Sequence, residues 1–425
     1  MTVDEFLKKN NFKSCMITDE LVSEMKNSLL LGENRDKGNV PDMFRTWTSL
    51  PKKLPCNSNI IVIDAGGTNF RSALVKFDSK GMASVCEFRK TFMPALERQY
   101  SRKEFFDAIA DNIDYLKDKA ERISFCFSYS MTITQDGDGI PTAFSKEIKA
   151  SEVLGIPVGK TLLETLKNRG WKKIQKITLL NDTVAALLAG FSLNSEAKYS
   201  SYIGFILGTG INSALLYENH ALGIKKQIIV CEIGKSHSVS KSTFDILADK
   251  KTETSGQYLL EKSCSGAYIG LVALEMLHLA AVEGLFSDSA KKKILCLEKL
   301  SAENISSLLS EKGEFAGFDR IFEKKSDKKI LFELLESLVD RCAKIVASIL
   351  ASSLILCGEG KDKNHPVCIL CNGTTFFKMH NLKTLVEKYL YEFATVKEKI
   401  NYKIVSRDDD ITVGTALAAF SSGAY

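Results

Sequence analysis

Apolar positions in this chain follow two rhythms. One is a short unbroken run closed by small polar residues; the other is the spacing of an amphipathic helix. The clearest run, Ile60–Ile63, stops at Asp64, crosses two glycines and a Thr-Asn pair, and resumes from Ser72. That pattern predicts strand, tight turn, strand. It returns at Ile203-Gly-Phe-Ile-Leu-Gly-Thr-Gly-Ile-Asn-Ser-Ala-Leu-Leu, so hairpins are expected over 60–77 and 203–217, one in each half of a duplicated fold.

Helical spacing predicts helices over 16–32 (Ile17, Leu21, Met25, Leu29), with Thr18 or Asp19 as cap, and over 105–116. Ile123–Met131 reads as a strand running into a loop, and Gln135-Asp-Gly-Asp-Gly as a turn. The position of a bidentate calcium glutamate is empty there. Ile177–Leu180 predicts a strand, followed by an Ala/Leu-rich helix from near Thr183 to Gly190. Residues 267–353 are mostly helical by pattern, including Leu331–Leu356 with Arg341 on it, and 310–329 reads as a charged connection. Val367–Cys371 is a further strand, and Val413–Phe420 a last helix behind the acidic start Asp408-Asp-Asp.

The chemistry sits where these runs break. Gly66 and Gly67 remove side-chain bulk, so main-chain N–H groups can converge on an anion. Thr68 and Asn69 add donors, Arg71 adds a forked cation suited to phosphate, and Asp64 can hold a hydrated magnesium. A bare Gly-Gly would mean an ordinary hairpin; Asp, Gly-Gly, Thr-Asn and Arg together favour phosphate. The Walker spacing is missing, and a strand follows instead of a helix. Asp182 stands at a helix start, which makes it an N-cap by position and keeps its carboxylate ionised through the helix dipole. Glu232 ends the apolar run Ile228–Cys231 and needs a partner or a ligand there. On spacing alone, Lys146 and Glu261 are surface residues.

Composition narrows the class. The 425 residues are 45% hydrophobic with only 7 Pro, which leaves room for two domains and little for long disordered linkers. A net charge of +5 with no aromatic-interleaved basic stripe argues against nucleic acid; Lys291–Lys293 and Lys328–Lys329 are solvated faces. No run has membrane-spanning length and the N-terminus lacks a signal core, so no membrane partner and a cytoplasmic location are expected. Eleven cysteines, spread singly through apolar segments, fit reduced thiols. Cys368 and Cys371 have no second ligand pair for zinc.

Taken together, 64–71, 126–146, 181–183 and 208–212 resemble, in order and spacing, the motifs of the hexokinases within the actin-like sugar kinases. The resemblance implies an α/β fold of two unequal actin-like lobes around a cleft. An N-terminal segment, 1–55, would pack on the large lobe; 56–183 with the C-terminal helix 411–425 would be the small lobe, and 184–410 the large one. It implies an ATP- and magnesium-dependent transfer to the 6-hydroxyl of glucose or a related hexose, with Asp182 as base and Lys146 near the transferring phosphoryl group. Sugar ligands carried over are Ser128, Tyr129, Ser145, Lys146, Asn181, Asp182, Ile206, Gly210, Asn212, Glu232 and Glu261. Nucleotide ligands are Asp64, Gly66, Gly67, Thr68, Asn69, Arg71, Gly208, Thr209, Gly373, Thr374 and Gly414, and the metal would be met by Asp64 and, through water, Asp182. Departures are Ser130 for Pro, Phe144 for Trp, Ile233 for Trp, Tyr258 for Gln, Asn372 for Asp, and Ile411-Thr-Val-Gly414 in place of a glycine-rich adenosine loop. A non-catalytic sugar sensor and an actin- or chaperone-like ATPase remain alternatives on the same fold, and the oligomeric state is not given by the sequence.

Overall fold

The computed structural model describes residues 1–31, 43–144, 148–193, 198–310, 322 and 324–421. The strands are β1 (Phe44–Arg45), β2 (Ser58–Gly66), β3 (Asn69–Phe77), β4 (Ala83–Phe92), β5 (Arg122–Phe127), β6 (Ser130–Ile133), β7 (Gly139–Ala143), β8 (Lys176–Leu180), β9 (Ser201–Leu207), β10 (Ile211–Asn219), β11 (Ile224–Val230), β12 (Val367–Asn372) and β13 (Tyr402–Val405). They form two large sheets, ordered β4-β3-β2-β5-β8 and β1-β11-β10-β9-β12-β13, and a separate β6-β7 pair. Apart from β1, the second sheet repeats the first. Each begins with an antiparallel hairpin (β2-β3; β9-β10), extends it with an antiparallel strand, and adds two parallel strands beside the first. The duplication expected from the two hairpins is therefore a property of whole sheets.

The unbroken run Ile60–Ile63 follows from burial on both faces. Ile61 and Ile63 pack with Phe105, Phe106 and Ile109, whereas Ile60 and Val62 pack with Val184, Leu188 and Leu417. Alternate side chains of a strand point to opposite faces, so a strand covered on both has no polar positions to alternate with. The helix Asp182–Ser192 is buried all round because it lies between the two sheets; its Val184, Ala185, Leu187 and Leu188 share one cluster with Ile60 and Val62 of the first sheet and with Tyr202, Ala214 and Leu216 of the second.

Several boundaries differ from the sequence reading. That helix runs past Gly190 to Ser192, because Gly190 packs on Cys368 instead of ending the turn. A first helix, Val3–Lys9, precedes the one expected over 16–32, which begins at Thr18; the Thr18 hydroxyl is buried without a hydrogen-bond partner among the described residues, so it does not cap, and Ile17 N donates to Ser348 Oγ at 2.9 Å. The long helix Lys325–Cys357 starts inside the stretch read as a connection, and residues 311–321 of that stretch lie outside the described residues. The last helix, Asp410–Ala418, starts three residues early and contains Ile411–Gly414. Gly414 is buried where this helix crosses Asp182–Ser192: a Cβ there would lie 1.8 Å from Ala185 O. The place expected to contact nucleotide is thus a helix crossing, and Gly414 is removed from the nucleotide ligands.

Candidate active site

Most of the expected residues that the structure describes lie just beyond the carboxyl ends of β2, β5, β8, β9, β11 and β12, the usual ligand edge of parallel-centred sheets; Glu261 reaches the β9-β10 turn from a helix, and Gly414 lies elsewhere. At the first hairpin, Gly67 takes φ +57, a left-handed turn that glycine adopts without strain, and Gly67 and Thr68 are exposed. The tip is held from below: Ser128 N donates to Ala65 O at 3.0 Å and the Tyr129 hydroxyl donates to Gly67 O at 2.9 Å. Tyr129 is otherwise buried against Phe127 and Phe144, so its hydroxyl serves the glycine turn and its ring the core, not the sugar as expected. Arg71 sits opposite Asp64 in the β2-β3 register and donates to Asp64 Oδ2 at 2.7 Å, so part of the guanidinium expected for phosphate is engaged by that carboxylate. Burial pushes the Asp64 carboxyl above its ordinary range, and Arg71 offsets only part of this.

The cap of the central helix is Asn181, not Asp182: Asn181 Oδ1 accepts from Thr183 N at 2.7 Å and also from the Thr183 hydroxyl. Asp182, the first helical residue, accepts from Thr183 N at Oδ1, 2.8 Å away, and among the described residues no side chain donates to its Oδ2. Its carboxyl is pushed up to about 6, by burial first, against the pull of the Thr183 N–H, and then by the like charges of Asp64 and Glu232. Raised to about 6, this carboxyl is mostly ionised at neutral pH and can take up a proton there.

The residues expected to face the sugar cluster at the second hairpin. Asn212 Nδ2 donates to Glu232 Oε1 at 2.8 Å, and Ile211 N donates to Glu261 Oε2 at 3.1 Å. Glu261 is not a surface residue, because the helix Leu259–Cys264 turns it toward the β9-β10 turn; burial and then Glu232 push its carboxyl up. Lys235 Nζ stands 3.6 Å from Glu232 Oε2. Ile206 is partly buried and packs against Leu370, Ala186 and Ala189. The Gly208–Gly210 turn is clamped from two sides: Gly266 N and the Thr375 hydroxyl both donate to Gly208 O at 2.9 Å, and Ala267 N to Thr209 O at 3.1 Å. Gly210 faces Glu261, and Gly373 lies against Gly208 while Thr374 is exposed beside it. Asn372 Nδ2 donates to both Asp410 oxygens, at 2.8 and 2.7 Å, tying the turn after β12 to the last helix. Ser145 and Lys146 lie outside the described residues.

Sequence reading missed Cys126, Gly266, Thr375 and Lys235. The Cys126 thiol is buried close enough to Asp64 and Asp182 that, after burial, both charges push it up. Within an apolar strand a cysteine looks like any small hydrophobe. Gly266 and Thr375 meet the Gly208 turn from segments 58 and 167 residues away in sequence, a proximity no local pattern carries. Lys235 had one available signal, a cation three residues after Glu232.

Two hairpin-led sheets that share a buried helix, with carboxylates and amides converging at their ends, define a two-lobed sugar kinase of the actin-like class. Two family models described as hexokinase match residues 3–191 and 202–421, and the chain belongs to the hexokinase family. Relatives include the hexokinase of Schwanniomyces occidentalis, 25% identical over 95% of this chain and 88% of that one, and Hexokinase-1 of Saccharomyces cerevisiae, 24% identical over 94% and 88%. The hexokinase from Schistosoma mansoni complexed with glucose shares the fold, with a TM-score of 0.72 and 20% identity over 99% of this chain and 96% of that one. Another hexokinase crystal structure superposes with a TM-score of 0.77 at 18% identity, over 98% of this chain and 99% of that one.

Proposed function

We propose that this sugar kinase transfers the γ-phosphoryl group of ATP to the 6-hydroxyl of glucose or a related hexose. The observation that carries the reading is Asp182: a carboxylate raised to about 6, with Oδ1 held by Thr183 N–H and Oδ2 met by no side chain among the described residues. Phosphoryl transfer asks mainly for positioning and charge neutralisation. Asn181, Asn212, Glu232 and Glu261 orient the polyol, Asp182 accepts the 6-hydroxyl proton at its open oxygen, and the backbone N–H groups of 66–69 and 208–210 meet the phosphates. Ser128 would meet the sugar from the 56–183 side, a role the family resemblance also implies for Ser145 and Lys146, and approach of that lobe to 184–410 would exclude competing water.

Among the described residues no group of three or more His, Cys, Asp and Glu could hold a metal. Asp64 and Asp182, with phosphate oxygens and water completing the shell, fit magnesium, which keeps most of its waters. When bound, the ion would neutralise charge on the phosphates. No helix among the described residues is long and apolar enough to cross a membrane, and all eleven thiols are free, which suits a reducing cytoplasm.

Glucose-dependent release of ADP from ATP tests the reading. Glucose binding without ADP release would indicate a sensor, and sugar-independent release an ATPase.

The nucleotide side supports a second expectation. Residues 411–414 form the first turn of the last helix, with Gly414 buried at its crossing, and Asn372 is engaged by Asp410, so fewer groups on that side are left to read a base. Losing one or two adenosine hydrogen bonds costs roughly 1–3 kcal/mol, so kcat/KM for ATP should exceed that for GTP or ITP by only about one to two decades. A preference of three decades or more would refute this.

A further inference from the structure

Lys235 is assigned no role by the motifs, yet its ammonium stands among the sugar-facing groups. It lies 3.6 Å from Glu232 Oε2, with the two side chains 26% and 23% exposed, and 6.0 Å from the centroid of the Tyr258 ring. Its place is set by the backbone: Lys235 N donates to Glu232 O at 3.0 Å, closing the single turn Ile233–Lys235. Glu232 and Tyr258 both hold left-handed backbone, at φ 48 and φ 53. Non-glycine residues persist there only where surrounding structure over-determines them, and such outliers cluster at ligand sites.

Asp182, Glu232 and Glu261 are close enough for Glu232 to push the other two carboxyls up. Such a cluster by itself attracts cations. Lys235 offsets that field on the side where Glu232 Oε2 is open; Glu232 Oε1 already accepts from Asn212. A neutral hydroxyl can donate to Glu232 and accept from the Lys235 ammonium. An ammonium substituent on the sugar can only donate, and it meets a like charge within a few ångströms.

We propose that Lys235 is a specificity-determining residue that favours neutral hexoses over amino-hexoses, an inference that rests on reading this cleft as the hexose site. The test is kcat/KM for glucose and for 2-amino-2-deoxy- and 3-amino-3-deoxyglucose, at a pH where the amines are protonated, in the wild type, Lys235→Met and Lys235→Arg. For at least one amine, the amine-to-glucose efficiency ratio should rise roughly tenfold in Lys235→Met and return to the wild-type value in Lys235→Arg. A purely structural role would lower all three sugars in parallel and leave the ratios unmoved. Unchanged ratios for both amines, or a shift that arginine does not reverse, overturn the proposal. Loss of ADP release with glucose in the wild type itself would refute the functional reading and this proposal together; release with unmoved ratios refutes the proposal alone.

Discussion

Asp182→Asn should lower kcat by roughly 10²–10⁴-fold, the usual contribution of a general base, while glucose binding weakens far less. Asn181, Asn212, Glu232 and Glu261 would still hold the ring, and the amide of asparagine keeps the shape and the contact to Thr183 N–H. The same substitution should stabilise the ligand-free, metal-free protein. Burial pushes the folded carboxyl up to about 6 from its ordinary value of 3.8. A raised folded-state value means that the native state binds the extra proton, so stability falls as pH rises from about 4 to about 6 and stays low above it. Asparagine removes that cost, so its gain should be absent below about pH 4 and reach the order of 1–3 kcal/mol above pH 6. Thermal unfolding of wild type and variant across this range, beside turnover and glucose titration calorimetry, checks both halves. Near-normal turnover would take Asp182 out of the mechanism, and equal melting temperatures at pH 7 would show that the carboxylate is not strained.

The second large effect is on stability. Arg341→Met should destabilise the protein by about 3–5 kcal/mol, because it leaves Asp245 buried without its cation. Arg341 is 1% exposed, and donates from Nη1 to Asp245 Oδ2 at 2.6 Å and from Nη2 to Asp245 Oδ1 at 2.8 Å. Burial would raise the Asp245 carboxyl, but Arg341 and Ser242 override it and hold the group below its ordinary range. The pair joins the long helix Lys325–Cys357 to the helix Thr243–Lys250, and the guanidinium also lies over Phe12, 4.5 Å from the ring centroid. Denaturant unfolding of Arg341→Met, Asp245→Leu and the double variant separates the terms. The double variant should lose less than Arg341→Met alone, since no unpaired charge remains. A double variant as unstable as the sum of the two singles would mean that the pair is not a coupled unit.

Local sequence determined the hairpins and the strand-to-helix junction. Ile60–Ile63 and Ile203–Leu207 are strands because they are buried on both faces, and the breaks at Gly66–Asn69 and Gly208–Gly210 are turns because small residues there admit the backbone. The placement of Asn181-Asp-Thr at a strand end followed by a helix is likewise a matter of neighbours in the chain, although which of the three caps was not: Asn181 takes the cap because Asp182 is already helical.

What only tertiary structure decided involves partners far apart in sequence. Gly414 serves a helix crossing because Ala185 lies above it, and Tyr129 supports Gly67 because its ring is locked between Phe127 and Phe144. Glu261 leaves its expected surface position because Ile211 N faces it, and the Gly208 turn is fixed by Gly266 and Thr375 from two other segments. The carboxyl of Asp182 acquires its value near 6 only when folding buries it beside Asp64 and Glu232, which the chain keeps 118 and 50 residues away. Periodicity reports which face of an element is buried. It does not report what that face meets, and the chemistry of this cleft is set by what it meets.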